Sequence, residues 1–232
     1  MAPSEYDVFA PVYDRWAAEM TEDVAWYTRL VGEADGPVVE LAVGTGRVAI
    51  PAARATGRPI VGIDSSEAML AGARARSEAE GVELELRLGD MRELDLDEPA
   101  ALIYCPFRSL LHLPTWADRR RVFERVAASL RPGGRFAWNA FVFSPHVAAR
   151  NDGVHEVQNG IGHVVHHHPH DNRLDIALDD GGGTSLWWVT RSEWEGLLEV
   201  AGLEVESLHG WFDGTPFGEG AREFVWVARR PA

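Results

Sequence analysis

The chain has 232 residues and a mass of 25.6 kDa, enough to bury one sizeable hydrophobic core. Hydrophobic residues make up 46% of it and charged residues 25%, proportions that exclude a disordered, collagen-like or coiled-coil protein. Its 22 basic side chains are all arginine, and the formal charge of −14 argues against nucleic acid or an anionic membrane as a partner.

The cysteine content and the N-terminal residues bear on where the protein works. Cys105 is the one cysteine in the sequence, so no internal disulfide can form, and the start of the chain up to Glu5 does not resemble a signal peptide. No apolar run approaches the roughly 18 residues of a membrane span. We therefore expect a cytoplasmic protein without a membrane partner.

The first 35 residues predict two helices. Aromatic side chains recur at helical spacing over residues 5–20, which indicates an amphipathic helix. These side chains are Tyr6, Phe9, Tyr13 and Trp16. Thr21 can cap a second helix, and Glu22 and Asp23 would favour the positive end of its dipole.

From residue 37 onward, strand patterns and helix patterns alternate. The predicted strands cover 37–43, 59–64, 83–88, 100–107 and 135–143, and the predicted helices cover 46–55, 66–80 and 115–130. This order predicts an α/β fold, a Rossmann-like, doubly wound and mostly parallel sheet with helices on both faces.

The pattern changes after Phe143. Residues 154–189 are β-prone segments separated by glycine-rich or Asp/Asn-bearing turns, which predicts antiparallel hairpins. The capping box of Thr190 and Glu193 then opens a helix, and two final strands are predicted over 203–208 and 223–228. A homodimer could form if hairpin edges of two chains pair.

A glycine-rich turn joins the first strand to the next helix. Gly44 and Gly46 permit a tight bend and a close approach of the backbone to a ligand, and the helix N-terminus behind them offers free N–H groups. Carboxylates stand at three successive strand ends, as Glu40, Asp64 and Asp90. Asp64 could accept both ribose hydroxyls of an adenosine, and Asp90 could accept from its amino group. The segment therefore predicts a nucleotide-type cofactor.

Two such cofactors fit the residues. Gly44-x-Gly46-x-x-Ala49 followed by Asp64 satisfies the dinucleotide fingerprint of NAD enzymes. Against NAD, Glu40 lies just before the turn, where a carboxylate suits a cationic ligand better than a pyrophosphate.

Residues 37–143 resemble class I S-adenosylmethionine-dependent methyltransferases. Segment 40–46, Glu-x-Ala-x-Gly-x-Gly, is similar to the glycine-rich first motif of that family, and segment 64–70 resembles its ribose-binding motif. Segment 89–91 resembles the adenine-contacting motif, and segment 130–134 resembles the turn before the fifth strand.

The resemblance implies S-adenosylmethionine as the cofactor, S-adenosylhomocysteine as its product, and a seven-stranded sheet with an antiparallel last strand over 223–228. Ala42 departs from the family pattern, in which many members have glycine. The implied cofactor-binding residues are Tyr13, Glu40, Ala42, Gly44, Gly46, Arg47, Asp64, Ser65, Met69, Asp90, Met91 and Cys105.

Outside the core, the chain resembles small-molecule members of the family, including amino-sugar and glycine-type N-methyltransferases. Segment 6–14 is similar to their N-terminal helix, which implies that Tyr13 lies near the methionine carboxylate or the methyl group, as a catalytic or binding residue. The β-rich segment is similar in position to their lids. The predicted units are an N-terminal helical cap (1–35), a cofactor-binding core (36–150), a β-rich lid insertion (151–189) and a C-terminal part that completes the core (190–232).

The expected reaction is in-line displacement, in which N, O or C of a small-molecule acceptor attacks the sulfonium methyl group that the cofactor supplies in activated form. Orientation and exclusion of water give much of the rate, and a base is needed only if the acceptor arrives protonated. His112, which follows the fourth strand, is the candidate base. Substrate contacts are predicted for Phe107, Arg108, His112 and Trp138.

Five histidines between His163 and His170 suggest a metal site at first sight. Pro169 interrupts the strand on which alternate histidines would share a face, and no Asp, Glu or Cys stands at a recognisable ligand spacing. The sequence therefore predicts no metal centre.

Two other functions stay open at this point. An NAD-dependent oxidoreductase on a similar sheet would bind NAD rather than S-adenosylhomocysteine. A non-catalytic S-adenosylmethionine-binding protein would bind the cofactor without transferring its methyl group.

Overall fold

The structure is a computed structural model that describes residues 5–232, without the side chains of residues 5 and 7–9. The start of the chain and the predicted apolar contact of Phe9 lie outside the described residues and side chains. The helices are α1 (Glu5–Trp16), α2 (Glu22–Glu33), α3 (Ala49–Thr56), α4 (Glu67–Glu80), α5 (Trp116–Ser129), α6 (Pro145–Asn151) and α7 (Arg191–Ala201). The strands are β1 (Val38–Leu41), β2 (Val61–Asp64), β3 (Glu85–Leu88), β4 (Ala100–Cys105), β5 (Leu130–Phe141), β6 (His155–Gln158), β7 (Ile161–His168), β8 (Arg173–Leu178), β9 (Gly183–Trp187), β10 (Glu204–His209) and β11 (Glu223–Arg229).

The main sheet has seven strands in the order β10-β11-β5-β4-β1-β2-β3. β11 runs antiparallel to both of its neighbours, and the other neighbouring pairs are parallel. The predicted seven-stranded sheet with its reversed last strand is thus confirmed. Because β1 lies between β2 and β4, the strand order reverses there and opens a crevice at the carboxyl ends of the strands.

Local chemistry sets the ends of the helices. The Ser66 side chain accepts a hydrogen bond from the Met69 amide and starts α4, and the predicted capping box of Thr190 and Glu193 starts α7. Thr21 precedes α2 without the predicted side-chain capping hydrogen bond, and β5 begins at Leu130 rather than at residue 135. The predicted start of α3 is also wrong, since the helix begins at Ala49 rather than at residue 46. The glycine turn occupies the intervening residues, because its glycines adopt left-handed backbone angles that do not continue a helix.

The hydrophobic core lies on both faces of the main sheet. On one face, Phe123 of α5 and Trp194 of α7 pack against Trp138 and Trp226 of the sheet. On the other face, α2 and α3 cover the strands, with Tyr27 stacked on a tyrosine of β4. Burial on both sides explains why β1 and β4 are apolar without alternation.

A second sheet covers the carboxyl ends of the main strands. Its four antiparallel strands, in the order β6-β7-β8-β9, confirm the predicted hairpins, and we call them the lid sheet. A small apolar cluster of Trp16, Met69, Ile161 and Leu178 joins α1, α4 and the lid sheet. The short helix α6, capped by Ser144, was not predicted. Among the described residues, no helix has the length and apolar character needed to cross a membrane.

Candidate active site

A cavity of about 480 Å³ lies between the strand ends, α1 and the lid sheet. Its volume is within the roughly 300–1,000 Å³ of small-molecule sites. One side of it, the strand-tip end, is lined by residues that include Ala42, Gly44, Asp64, Ser65, Asp90 and Met91. The opposite side, the lid end, is lined by residues that include Tyr6, Trp16, Phe107, His112, His163 and Leu186.

Asp64 organises the strand-tip end. One carboxylate oxygen accepts from the Gly44 amide at 2.8 Å, and the other accepts from the Ser66 amide, also at 2.8 Å. The carboxylate therefore joins the glycine turn after β1 to the start of α4. Asp64 also lines the cavity, and a carboxylate can accept about four hydrogen bonds, so a ligand hydroxyl can be added to those made by the protein.

The glycine turn places its two glycines differently. Gly44 lines the cavity and faces the ring of Tyr13, whereas a Cβ atom at Gly46 would meet the Ile50 side chain at 2.7 Å. Gly46 thus serves the packing of α3 against the turn. Ala42 lines the cavity with a φ of 53°, a left-handed angle at which a side chain is strained.

Arg47 anchors the N-terminal helices to this turn. Its guanidinium donates to both carboxylate oxygens of the buried Asp23, at 2.8 and 2.5 Å, and lies 4.3 Å from the centre of the Phe107 ring. It also lies beside Tyr13. Burial raises the pKa of Tyr13 to about 12, an effect that Arg47 partly offsets, so this tyrosine is a neutral hydroxyl at the edge of the cavity.

Glu40 is buried behind the turn, 1% exposed. Its Oε2 atom has no hydrogen-bond partner among the described residues. Burial raises the pKa of Glu40 to about 8, although the nearby Tyr104 hydroxyl and Arg47 lower it. A buried carboxyl with an unused oxygen is suited to a cationic or hydrogen-donating group of a ligand.

Asp90 closes the strand-tip end after β3. It caps a short 3₁₀ turn at Met91–Glu93 by accepting from the Arg92 amide at 2.8 Å, and it also binds the Arg92 guanidinium. Burial raises the pKa of Asp90, but the hydrogen bonds from Arg92 outweigh burial and lower it overall. The carboxylate is therefore ionised and held in one place.

His112 lies at the lid end, in a second 3₁₀ turn at Ser109–His112. Its Nδ1 atom faces the Ser185 carbonyl oxygen of the lid sheet at 3.1 Å, and its Nε2 atom is hydrogen-bonded to the Tyr6 hydroxyl. Because a carbonyl oxygen only accepts, Nδ1 carries the proton and Nε2 accepts. Burial lowers the pKa of His112 to about 4, although the bond to Ser185 opposes the shift. The imidazole is thus a neutral acceptor that joins α1 to the lid sheet.

A buried polar network supports the turn after β4. Phe107 and Arg108 both have left-handed backbone angles, with φ of 57° and 65°. Asn139 accepts from the Phe107 amide at 2.9 Å and donates to Glu223 at 2.7 Å, and Glu223 binds the Arg108 guanidinium through both oxygens. Tyr27 also donates to Asn139, at 2.8 Å. Sequence reasoning missed this network, because its members are spread over four separate segments.

The structure brings most of the predicted site residues to one cavity. Those that line it are Tyr13, Ala42, Gly44, Asp64, Ser65, Met69, Asp90, Met91, Phe107, Arg108 and His112. Glu40, Gly46, Arg47 and Cys105 lie behind its wall. Burial raises the pKa of the Cys105 thiol above its usual range, which makes it an inert part of the core.

The predicted substrate contact of Trp138 is wrong. Its ring is fully buried in the core, stacked between Phe136 and Trp226, and it does not line the cavity. The side chain points to the face of β5 that packs on α5. Tyr6, Gln158 and Thr184 line the lid end and were not predicted, since their positions depend on how α1 and the lid sheet fold over the strands.

Several of the lid histidines lie against carboxylates, and His168 also contacts the ring of His170. His168 pairs with Asp175 at 2.9 Å, and His155 with Asp179 at 3.0 Å. Among the described residues, no three histidine, cysteine or carboxylate side chains lie close enough together to hold a metal ion.

The strand-tip end suits an adenosine-bearing cation on three counts. The turn leaves Gly44 without a side chain at the cavity wall, Asp64 holds a fixed carboxylate in that wall, and the buried Glu40 carboxyl lies just behind it. A pyrophosphate would meet carboxylates here, and the two arginines described beside them, Arg47 and Arg92, are each bound to an aspartate.

Comparisons with known proteins agree with this chemistry. Residues 38–134 match a family model described as a methyltransferase domain. The chain is 31% identical to dTDP-4-amino-2,3,4,6-tetradeoxy-D-glucose N,N-dimethyltransferase of Saccharopolyspora spinosa over 137 residues. The match covers 57% of this chain and 53% of that protein. The chain is also 27% identical to 27-O-demethylrifamycin SV methyltransferase of Amycolatopsis mediterranei, over 87% of this chain and 85% of that one.

Among solved structures, the CcbJ methyltransferase from Streptomyces caelestis superposes with a TM-score of 0.84 at 26% identity, covering 99% of both chains. The recognition made from the motifs is confirmed. Residues 38–134 therefore carry a methyltransferase domain, and the resemblance implies S-adenosylmethionine as its cofactor. The chain spans about half the length of most of the curated relatives it matches.

Proposed function

We propose that this protein transfers a methyl group from S-adenosylmethionine to N, O or C of a small molecule, such as an amino sugar or a rifamycin-like natural product. The observation that carries the proposal is the set of three carboxylates, Glu40, Asp64 and Asp90, at consecutive strand ends beside the glycine turn. The methyltransferase-domain match over the same residues supports it.

The strand-tip end would hold the cofactor. Asp64 would accept the ribose hydroxyls and Asp90 the adenine amino group, while Glu40 would face the cationic methionine end. Tyr13, a neutral hydroxyl beside the turn, would donate to the methionine carboxylate. When bound there, the cofactor supplies an activated methyl group.

The lid end would position the acceptor and exclude water. Its aromatic rings, from Trp16 and Phe107 among others, offer flat apolar contacts. His112 presents a neutral Nε2 acceptor and can take the proton of an acceptor N–H or O–H group, with Tyr6 as the intervening hydroxyl. The Ser185 carbonyl fixes the tautomer that this role needs.

The relatives indicate the kind of acceptor. The name of one relative gives a dTDP-linked amino sugar that is methylated on nitrogen, and the name of another gives a rifamycin that is methylated on oxygen. Both nitrogen and oxygen acceptors are thus represented among the relatives. We therefore leave the acceptor atom as N, O or C and place the protein in natural-product modification.

The test is calorimetric and chemical. Titration with S-adenosylhomocysteine should show one site with micromolar affinity or better, and titration with NAD should show none. Binding of NAD instead would replace the proposal with an oxidoreductase. Methyl transfer from labelled S-adenosylmethionine to members of a panel of amino sugars and rifamycins distinguishes an enzyme from a non-catalytic binding protein, which would bind the cofactor and transfer nothing.

A further inference from the structure

Two adjacent residues after β4 have a backbone conformation that side chains rarely adopt. Phe107 and Arg108 have φ angles of 57° and 65°, in the left-handed region, and neither is glycine. Such residues are strained, and they persist only where the surrounding contacts hold them in place. This turn, which we call the 107–108 turn, therefore needs specific restraints.

The restraints come from two buried side chains on the neighbouring strands β5 and β11. Asn139 is 3% exposed and Glu223 is 1% exposed. The Asn139 Oδ1 atom accepts from the Phe107 amide at 2.9 Å, and its Nδ2 atom donates to Glu223 at 2.7 Å. Glu223 accepts from the Arg108 guanidinium with both oxygens, at 3.0 and 2.9 Å. The first residue of the turn is thus held by its backbone and the second by its side chain.

These bonds supply an orientation that the apolar packing nearby does not. Leu110 and Leu111, which follow the turn, are buried in the core. Burial of apolar side chains is non-directional, whereas a hydrogen bond restricts both a distance and an angle. The core therefore sets how deeply this segment lies, and the bonds from Asn139 and Glu223 set the direction in which it leaves β4.

The 107–108 turn leads to both ends of the cavity. The Phe107 ring lies 4.3 Å from the Arg47 guanidinium and meets the Tyr13 ring edge-on, beside the glycine turn. The Arg108 carbonyl accepts from the Leu111 amide at 2.8 Å and begins the 3₁₀ turn that ends at His112. One strained turn consequently places a wall residue of the proposed cofactor site and the candidate base.

We infer that Asn139 and Glu223 are positioning residues for methyl transfer, which act through the 107–108 turn and determine where His112 lies at the lid end. Neither of them lines the cavity, so neither is assigned a contact with the cofactor or the acceptor. This inference rests on the proposed function and adds two residues to its machinery. If the pair served stability alone, its replacement would weaken the fold and leave His112 in place.

The test is side-chain NMR of the histidines in the full chain, without an acceptor, with the His112 signal assigned by its absence from His112→Gln. In the wild type, the pKa of His112 should be about 4, because the ring is buried. Glu223→Gln keeps the shape of the side chain and removes the charge that holds Arg108. The pKa of His112 should then rise by about one pH unit or more, as the ring leaves its buried position.

The direction of this change separates displacement from simple electrostatics. Loss of a nearby negative charge, with the ring in place, would lower the pKa of a histidine rather than raise it. Glu223→Asp keeps the charge and withdraws the carboxylate from Arg108 by one methylene, so it should raise the pKa of His112 as well. It also provides a folded variant if the glutamine does not permit folding.

Val31→Ala is the matched control. Val31 is 0% exposed and belongs to the same buried cluster as Tyr27, so this change weakens the core on that face without touching the 107–108 turn. It should leave the pKa of His112 at its wild-type value. An unchanged pKa of His112 in a folded Glu223 variant overturns the inference, and so does an equal rise in Val31→Ala.

The catalytic consequence is measured with the acceptor that the methyl-transfer panel identifies. Glu223→Gln should lower kcat at least tenfold, because a small misplacement of reacting groups is costly, and Val31→Ala should not. Failure of the wild type to bind S-adenosylhomocysteine would instead overturn the proposed function. Because the NMR measurement needs no ligand, the two failures are distinguishable.

Discussion

The two ends of the cavity are built in different ways. At the strand-tip end, side chains from consecutive strand ends are fastened to nearby backbone amides, as Asp64 is to Gly44 and Ser66. At the lid end, the contacts join distant parts of the chain, such as Tyr6 to His112 and His112 to Ser185. The first end is fixed by the sheet itself, whereas the second exists only when α1 and the lid sheet pack over it. Cofactor binding and acceptor chemistry should therefore respond to separate substitutions.

The largest expected effect separates catalysis from cofactor binding. His112→Ala removes the Nε2 acceptor and should lower kcat by roughly 10²-fold, in the range of a lost general base, with the Kd for S-adenosylhomocysteine unchanged. Because the pKa of His112 is about 4, the wild-type rate should show no decline due to this group between pH 8 and pH 5. The measurements are kcat against pH and calorimetric Kd.

The exposed His146 of α6 provides the matched control, and His146→Ala should leave both constants as they are. Tyr6→Phe should also lower kcat, because it removes the hydroxyl through which the proton of the acceptor reaches Nε2. A His112→Ala variant that turns over at the wild-type rate would remove this residue from the chemistry.

A second substitution acts on the strand-tip end. In the wild type, both carboxylate oxygens of Asp64 accept backbone N–H groups, from Gly44 and Ser66. In Asp64→Asn, the side-chain NH₂ group replaces one of these oxygens and points a donor at a backbone N–H donor. We expect the Kd for S-adenosylhomocysteine to rise by about 100-fold, which corresponds to ~2.7 kcal/mol. Asp97→Asn, at a side chain 92% exposed, is the control and should bind as the wild type does. Equal affinities for the two variants would contradict the assignment of Asp64.

The pH dependence of cofactor binding should come from the strand-tip end as well. Glu40, with a pKa of about 8, is mostly protonated at pH 7 in the ligand-free protein and would bind a cation in its ionised form. Affinity for S-adenosylmethionine should therefore rise with pH up to about 8, by at most about tenfold per pH unit. Glu40→Gln should remove this rise and retain only the titration of the ligand's own groups.

The same residue gives a stability prediction with a definite sign. The pKa of Glu40 is higher in the folded protein than its usual 4.5, so its contribution to stability is present at low pH and is lost as pH rises from 4.5 through about 8. In chemical denaturation without ligand, the Glu40→Gln variant should gain stability relative to the wild type between pH 5 and pH 9. A constant difference across that range would show that Glu40 does not titrate there.

The sequence predicted the strand-tip end better than the lid end, because the contacts of the strand-tip end are local in the chain and those of the lid end are not. Glycine turns, caps and strand-end carboxylates depend on neighbours within a short stretch of chain, so the positions of Gly44 and Asp64 could be predicted correctly. Trp138 was misassigned because the alternation of β5 does not tell which face meets α5. The partnership of Asn139 with Glu223 depends on β11 lying next to β5, which no local pattern encodes.

The smallest expected effect concerns the departure of Ala42 from glycine. Its φ of 53° is one that glycine adopts without strain, whereas an alanine there costs about 1 kcal/mol. Ala42→Gly should therefore raise the free energy of unfolding by up to ~1 kcal/mol, offset in part by the greater freedom of the unfolded chain. Ala75→Gly, at an exposed position inside α4, should lower it by roughly the same amount, since helical glycine is unfavourable. The measurement is the change in the free energy of unfolding in urea for each variant. Changes of opposite sign would show that the backbone is strained at Ala42, beside the proposed cofactor site. Equal losses of stability would show that Ala42 is not strained.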